Sequence, residues 1–178
     1  MDAPLKLPQH LPLDRIAGGV LRLLGEEDWG LEQRLSNVAD VPRWTMYPAA
    51  MSEAQARLRG LANRERAAAG TAARYVVEVG KEPLGTAGIA FPGRGPEVAY
   101  ALLPAGRGAG LATAAVQALT QWAAAAGYPV VRLHTMEGNQ ASEKVAERAG
   151  FTRAGQDADE DGTVVTVWVS ATPAGIEA

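Results

Sequence analysis

The sequence feature that most constrains the fold is a strand, a glycine loop and an alanine-rich helix in direct succession. Residues 97–103, EVAYALL, predict a strand, and AGRGAG at 105–110 places three glycines at alternate positions. Residues 111–126 repeat apolar side chains at helical spacing, and Gly127 predicts the end of that helix. The next apolar run, VVRLHT at 130–135, follows directly. The two strands are therefore predicted to be parallel, joined by a right-handed crossover.

The remaining patterns predict an antiparallel meander before this unit and a strand pair after it. Residues 1–18 are predicted to be an N-terminal extension, ordered only if something docks it, and residues 19–178 a single domain. The other predicted elements are a strand at 20–24, a helix from residue 26, a loop at 38–51, a helix at 52–69, strands at 74–79 and 83–91, a helix from Asn139 to Gly150, and closing strands at 151–155 and 163–170.

Composition excludes several kinds of chemistry. The chain contains no cysteine, so disulfides, thiolate nucleophiles and thiolate metal sites are absent. Its two histidines, His10 and His134, lie far apart in sequence, and no metal site is predicted. The formal net charge is −3 without a basic stripe, which disfavours a nucleic-acid partner and favours a cationic or amine substrate. The N-terminus lacks an apolar signal core and no run is long enough to span a membrane, so a cytoplasmic protein without a membrane partner is predicted.

Three interpretations of the glycine loop remain open from its residues alone. A plain strand-to-helix turn is the first, because the chain has 20 glycines and G-x-G also occurs at 93–95. A dinucleotide fingerprint is the second, but GAGLAT places Thr113 where the third glycine belongs, and too few residues follow to complete a doubly wound sheet. The third is R-x-x-G-x-A, formed by Arg107, Gly110 and Ala112, in which backbone N–H groups at a helix N-terminus converge on a pyrophosphate.

Three motifs in order carry a resemblance to a known family. EVAYALLP at 97–104, RGAGLAT at 107–113 and NQASEKVAERAGF at 139–151 resemble the corresponding segments of the RimJ/RimL-like branch of the GCN5-related N-acetyltransferases, the GNAT superfamily. The similarity covers roughly residues 20–170. One position departs from the pattern: the middle residue of the loop, often basic in this branch, is Ala109.

The resemblance implies both a fold and an activity. The expected fold is α+β, a three-layer α/β/α sandwich whose mixed, mostly antiparallel sheet contains a central parallel strand pair that splays apart. The expected reaction moves an acetyl group from acetyl-CoA to a primary amine by direct attack in a ternary complex, with no metal. The residues expected to hold acetyl-CoA are Ala101, Leu102, Leu103, Arg107, Gly108, Ala109, Gly110, Leu111, Ala112, Asn139, Ser142 and Lys144.

The proton transfers of this reaction select two candidate catalytic residues. The amine must lose a proton to attack, and the leaving thiolate needs a proton or a hydrogen bond. Glu97 is the candidate general base, directly or through water, with a solvated strand-end glutamate as the alternative. Ser142 is the candidate for the thiolate, with a capping role near Asn139 as the alternative. A backbone N–H near Leu102 is expected to stabilise the oxyanion.

The acceptor side is the least specified part of the prediction. Trp44, Tyr47, Glu97 and His134 are the candidate acceptor-binding residues, and loop anchoring is the alternative for the two aromatics. Protein N-termini, other peptides, polyamines and antibiotic-like amines all remain open as acceptors. A non-catalytic acyl-CoA-binding sensor or scaffold is the alternative function. Because the edges of such folds often pair, a homodimer is among the expected partners.

Overall fold

The computed structural model describes residues 5–158 and 161–170 and contains one eight-stranded sheet with helices on both faces. The strand order is β1-β2-β3-β4-β5-β6-β8-β7, and every neighbouring pair is antiparallel except β5 and β6. The strands are β1 His10–Pro12, β2 Gly19–Leu23, β3 Ala72–Val79, β4 Glu82–Ala90, β5 Glu97–Leu102, β6 Arg132–Met136, β7 Phe151–Ala158 and β8 Val164–Ser170. This arrangement confirms the predicted α+β fold with its central parallel pair.

The helices form two layers because alternate strand residues point to opposite faces of the sheet. On one face, Tyr75 and Val77 pack with Leu119; on the other, Val76 packs with Leu31 and Leu35. The helices are α1 Trp29–Ser36, α2 Asp40–Trp44, α3 Glu53–Ala68, α4 Leu111–Ala125 and α5 Gln140–Arg148, with short 3-10 turns at Glu26–Asp28 and Pro104–Gly106. Within the described ranges, no helix has both the length and the apolar character needed to cross a bilayer.

The segment 38–51 was wrongly predicted to be only a loop, since it contains α2. Pro42 lies in the first turn of this five-residue helix, where the missing N–H of proline costs no intrahelical hydrogen bond. Val41 is buried against the cluster that includes Leu31 and Leu35, so tertiary packing stabilises a helix too short to be read from its own sequence.

The N-terminal segment docks on the sheet. Strand β1 pairs with β2, and Leu7 and Leu13 are buried in the main core. Docking is the condition under which the sequence predicts order for residues 1–18, and β2 supplies the docking edge. The other end of the predicted domain, 171–178, lies outside the described residues.

Strands β5 and β6 separate soon after they begin. They pair only at Glu97↔Arg132 and Val98↔Leu133. Beyond that point β5 stays with β4, and the N–H of Leu103 donates to the carbonyl of Leu84 at 2.9 Å, whereas β6 stays with β8. The parting opens a slot in the middle of the sheet, as the resemblance implies.

If the N-terminal segment is part of the folded domain, truncating its buried side chain destabilises the protein. Leu13→Ala is expected to lower the free energy of unfolding by about 2–4 kcal/mol, because Leu13 is 3% exposed and the change leaves a cavity. His10→Ala, at an exposed position of β1, is expected to change it by less than about 0.5 kcal/mol. Equal denaturant midpoints for Leu13→Ala and the wild type would show that the segment does not contribute to the core.

Candidate functional site

The glycine loop forms an open concavity at the N-terminus of α4. Gly108 and Gly110 have φ angles of +81° and +77°, which favour glycine, and a Cβ added to either would meet nothing within 4 Å. Gly110 is the N-cap of α4, so the first N–H groups of the helix face outward without helical partners. Free N–H groups and the positive end of a helix dipole suit a phosphate, and the absent side chains leave room for one to approach.

The side chain of Arg107 is engaged by protein groups. Its guanidinium donates to both carboxylate oxygens of Asp40 at 2.8 and 2.9 Å, and to the carbonyl of Leu102 at 3.0 and 3.2 Å. The hydrogen bonds from Arg107 lower the pKa of Asp40. Arg107 therefore joins α2 to the end of β5 at the mouth of the slot.

The backbone of β5 presents alternate residues to the slot. Leu103 is bonded toward β4, and because strand residues two apart point the same way, the backbone of Ala101 also faces β4. The N–H of Leu102 faces the gap left by β6, while its carbonyl already accepts from Arg107. Of Ala101, Leu102 and Leu103, the three residues expected to hold acetyl-CoA here, Leu102 is thus the one whose N–H borders the slot.

The opposite wall of the slot is the first turn of α5. Asn139 caps this helix by accepting from the N–H of Ser142 at 3.2 Å, so the predicted capping contact is present. The hydroxyl of Ser142 lies 2.9 Å from that of Tyr100, which donates to it from β5. Burial raises the pKa of Tyr100 despite the opposing hydrogen bond with Ser142, so its hydroxyl stays protonated near neutral pH. Lys144 is exposed one turn along α5.

Glu97 and His134 lie together where the two strands part. The Nδ1 of His134 is 3.1 Å from an Oε1 of Glu97, and about a third of each side chain is exposed. The hydrogen bond to Glu97 raises the pKa of His134 despite partial burial, and the charge of Asp157 adds to the rise while Arg132 opposes it. A carboxylate and an imidazole in contact form a group that can accept and pass on a proton.

Tyr47 belongs to a buried charged cluster, which we call the Glu32 cluster: Glu32, Tyr47, Arg59, Arg74 and Thr86. The carboxylate of Glu32, 1% exposed, accepts from Tyr47 at 2.6 Å, from Arg59 at 2.8 Å and from Arg74 at 3.0 and 3.1 Å. Burial opposes ionisation of Glu32, but the two arginines outweigh it and hold its pKa below the ordinary value. Burial raises the pKa of Tyr47 to about 12.

The other predicted aromatic lies apart from this cluster. Trp44 ends α2 and is half-buried, with the guanidinium of Arg43 at 4.6 Å from its ring centroid. The structure thus brings Glu97 to His134, and Ser142 to Asn139, while Tyr47 contacts a different set of partners.

Sequence reasoning missed the partners that complete these contacts. Glu32 and Arg74 are 42 residues apart and meet only because α1 packs over the sheet. No short motif signals such a pair. Tyr100 could have been found from the sequence. It is the tyrosine of EVAYALLP and directly precedes Ala101, one of the residues expected to hold acetyl-CoA.

The contact between Glu97 and His134 predicts a shifted titration. In the wild type, the pKa of His134 lies above the ordinary value of about 6.5, and in Glu97→Gln it is expected to fall toward that value. The pair stabilises the fold below about pH 6.5, and this contribution is lost as pH rises through the folded pKa. NMR titration of the two histidines, assigned with His134→Asn, measures the shift. An unchanged pKa of His134 in Glu97→Gln would contradict the pairing.

Comparison with known proteins agrees with this geometry. The model of the acetyltransferase (GNAT) domain matches residues 20–152. The structure resembles RimL, the ribosomal L7/L12 alpha-N-protein acetyltransferase in complex with coenzyme A, with a TM-score of 0.81 and 22% identity over 93% of this chain and 99% of that one. It also resembles Mycobacterium smegmatis RimJ in complex with CoA-disulfide, with a TM-score of 0.78 and 18% identity over 94% and 89%. A third similar structure is the aminoglycoside acetyltransferase AAC(6')-Ib in complex with coenzyme A, with a TM-score of 0.69 and 19% identity over 85% and 93%.

The similar structures establish the fold, and the match to the family model establishes the family. The sequence has no significant match among curated proteins. The family match covers the slot, the glycine loop and the first turn of α5 in one continuous stretch. The chain belongs to the GNAT acetyltransferase domain family.

Proposed function

We propose that the chain moves the acetyl group of acetyl-CoA to a primary amine. Glu97 accepts the proton of the amine, and Ser142 donates a hydrogen bond to the leaving thiolate. The observation that carries the proposal is the slot between β5 and β6. It has an N–H-lined loop at its mouth, a carboxylate at its vertex and a hydroxyl pair across it. Acceptors of the similar structures range from a ribosomal-protein N-terminus to aminoglycosides, which supports an amine as the acceptor.

The loop and the slot are the parts that fit acetyl-CoA. The N–H groups of Gly108 to Ala112 suit the pyrophosphate, and the N–H of Leu102 suits the extended arm. Lys144 supplies a cation on the neighbouring helix, while Arg107 contributes by fixing α2 and the carbonyl of Leu102. Holding both reactants side by side converts a bimolecular reaction into an effectively unimolecular one.

Proton movement follows from the two sides of the slot. Glu97 accepts the proton that the amine must lose, and His134, in contact with that carboxylate, can take the proton on as its imidazolium. As the C–N bond forms, negative charge gathers on the carbonyl oxygen, and the N–H of Leu102 is the donor we assign to it. As the C–S bond breaks, CoA leaves as the thiolate, and Ser142 donates a hydrogen bond to its sulfur while accepting one from Tyr100.

A non-catalytic acyl-CoA-binding module remains the alternative function. It would use the same loop and slot but would not need a base at the vertex of the slot. The contact of Glu97 with His134 and that of Ser142 with Tyr100 support the enzyme, because a module that only binds acyl-CoA has no need of either contact.

Charge at residue 109 is expected to tune acetyl-CoA affinity. Ala109 is an exposed loop residue without a positive φ, so a side chain there causes little strain. Ala109→Lys restores the missing cation and is expected to tighten binding about two- to five-fold, whereas Ala109→Glu weakens it by a similar factor. Both effects shrink at high salt. Calorimetric titration measures them, and identical dissociation constants for the two variants would place the phosphates elsewhere.

Turnover separates the enzyme from the binding module. Release of free CoA is expected with peptide or small primary amines, and Glu97→Gln is expected to reduce kcat/KM by about 100-fold near pH 7. The deficit narrows at high pH, where the acceptor amine is already neutral. Binding of acetyl-CoA without turnover across a broad amine panel supports the alternative, and a wild-type pH profile in Glu97→Gln removes Glu97 from the mechanism.

A further inference from the structure

The face of the sheet beside Glu97 has an open floor. Ala99 is exposed although it lies in the central strand β5, and its neighbour on β4 is Gly88. Gly88 in turn pairs with Arg74 on β3. In this row, Gly88 alone separates Arg74 from β5, and Ala99 presents only a methyl group on the same face of β5 as Glu97. Along this row, the floor between the vertex of the slot and Arg74 therefore carries no side chain larger than a methyl group.

The Glu32 cluster borders this floor with an excess of positive charge. Arg59 and Arg74 are both charged, and among the described residues Glu32 is the carboxylate that they contact. Tyr47 stays neutral at physiological pH, so the cluster carries a net charge of about +1. The side chains of Arg59 and Arg74 are 27% and 20% exposed, so each keeps some solvent-accessible surface. A partly buried cluster with a net positive charge is stabilised when a ligand of negative charge binds to it.

Packing fixes the two guanidiniums in place. They lie 5.0 and 5.5 Å from the centre of the Tyr47 ring, and the Tyr47 hydroxyl is 2.9 Å from Thr86 on β4. Arg59 donates to Glu32 through its Nε, and no carboxylate in the part of the chain that the structure describes contacts its two terminal nitrogens. Such a fork is suited to bind a carboxylate in two-point contact.

We infer that Arg59 and Arg74 bind a carboxylate of the acceptor, so that the acceptor is an amine carrying a negative charge about 10 Å from the reacting nitrogen. The distance corresponds to the two strand spacings between β5 and β3. In an extended peptide it places the acid on about the second or third residue. The inference rests on the proposed function and adds the class of acceptor. It runs against the overall charge of −3, which alone favours a polycation.

Matched acceptors test the inference directly. The peptides Ala-Ala-Glu-Ala-amide, Ala-Ala-Gln-Ala-amide and Ala-Ala-Lys-Ala-amide differ only in charge at the third residue. A small-molecule arm uses 6-aminohexanoate and its amide, which distinguishes a free carboxylate on a short chain from one on a peptide. The acidic member of at least one arm is expected to show a kcat/KM about ten-fold above its neutral partner, mainly through KM.

Variants at Arg59 assign the preference to the cluster. Arg59→Gln leaves Glu32 and Arg74 as a neutral pair and is expected to abolish the acid preference while retaining turnover of the Gln peptide. Arg59→Lys keeps the charge and is expected to retain most of the preference. Thermal melting of both variants checks that the fold is intact, and acetyl-CoA affinity is expected to stay unchanged.

The outcomes separate this inference from the proposed function. Turnover in which neither acidic acceptor exceeds its neutral partner overturns the inference and leaves acetyl transfer standing. An acid preference that survives in Arg59→Gln overturns the assignment to this cluster. Absence of turnover with every amine, including those without a charge, overturns the proposed function itself.

Discussion

The structure of the site depends on the early separation of β5 and β6. Two residue pairs hold the strands together at their start, and each strand then continues with its other neighbour. The separation exposes the N–H of Leu102 in the middle of a sheet, where an unpaired backbone donor would otherwise be costly. It also places Glu97 at the vertex, the glycine loop at the mouth and the first turn of α5 on the far wall. An extended, amide-bearing ligand is the partner that such a slot fits.

The two faces of the sheet carry different side chains beside this slot. On the α4–α5 face, Tyr100 of β5 donates a hydrogen bond to Ser142 of α5. On the α1–α3 face, Glu97 contacts His134, and Arg74 of the Glu32 cluster lies two strands away on β3. Arg107, in the glycine loop, connects these regions. Its guanidinium donates to Asp40 of α2 and to the carbonyl of Leu102 in the wall of the slot. Helix α2 and the wall of the slot are therefore mechanically connected.

The sequence predicts the parts whose geometry is local. The glycine loop, the helix after it and the cap at Asn139 follow from residues within a few positions of one another, and the structure has them where expected. Helix α2 was missed because its stability comes from Val41 packing into a distant cluster. The engagement of Arg107 by Asp40 was also hidden, since 67 residues separate them. Contacts of this kind depend on which face each helix presents, and a single sequence does not give that.

The central claim is that the slot and the glycine loop together hold acetyl-CoA. Titration of ¹⁵N-labelled protein with acetyl-CoA, followed by amide NMR, tests it residue by residue. The account predicts the largest shifts at Leu102, at Gly108 to Ala112 and at Ser142, with little change in β1 and β2. Saturating shifts confined to other surfaces, or no shifts at millimolar ligand, would contradict it.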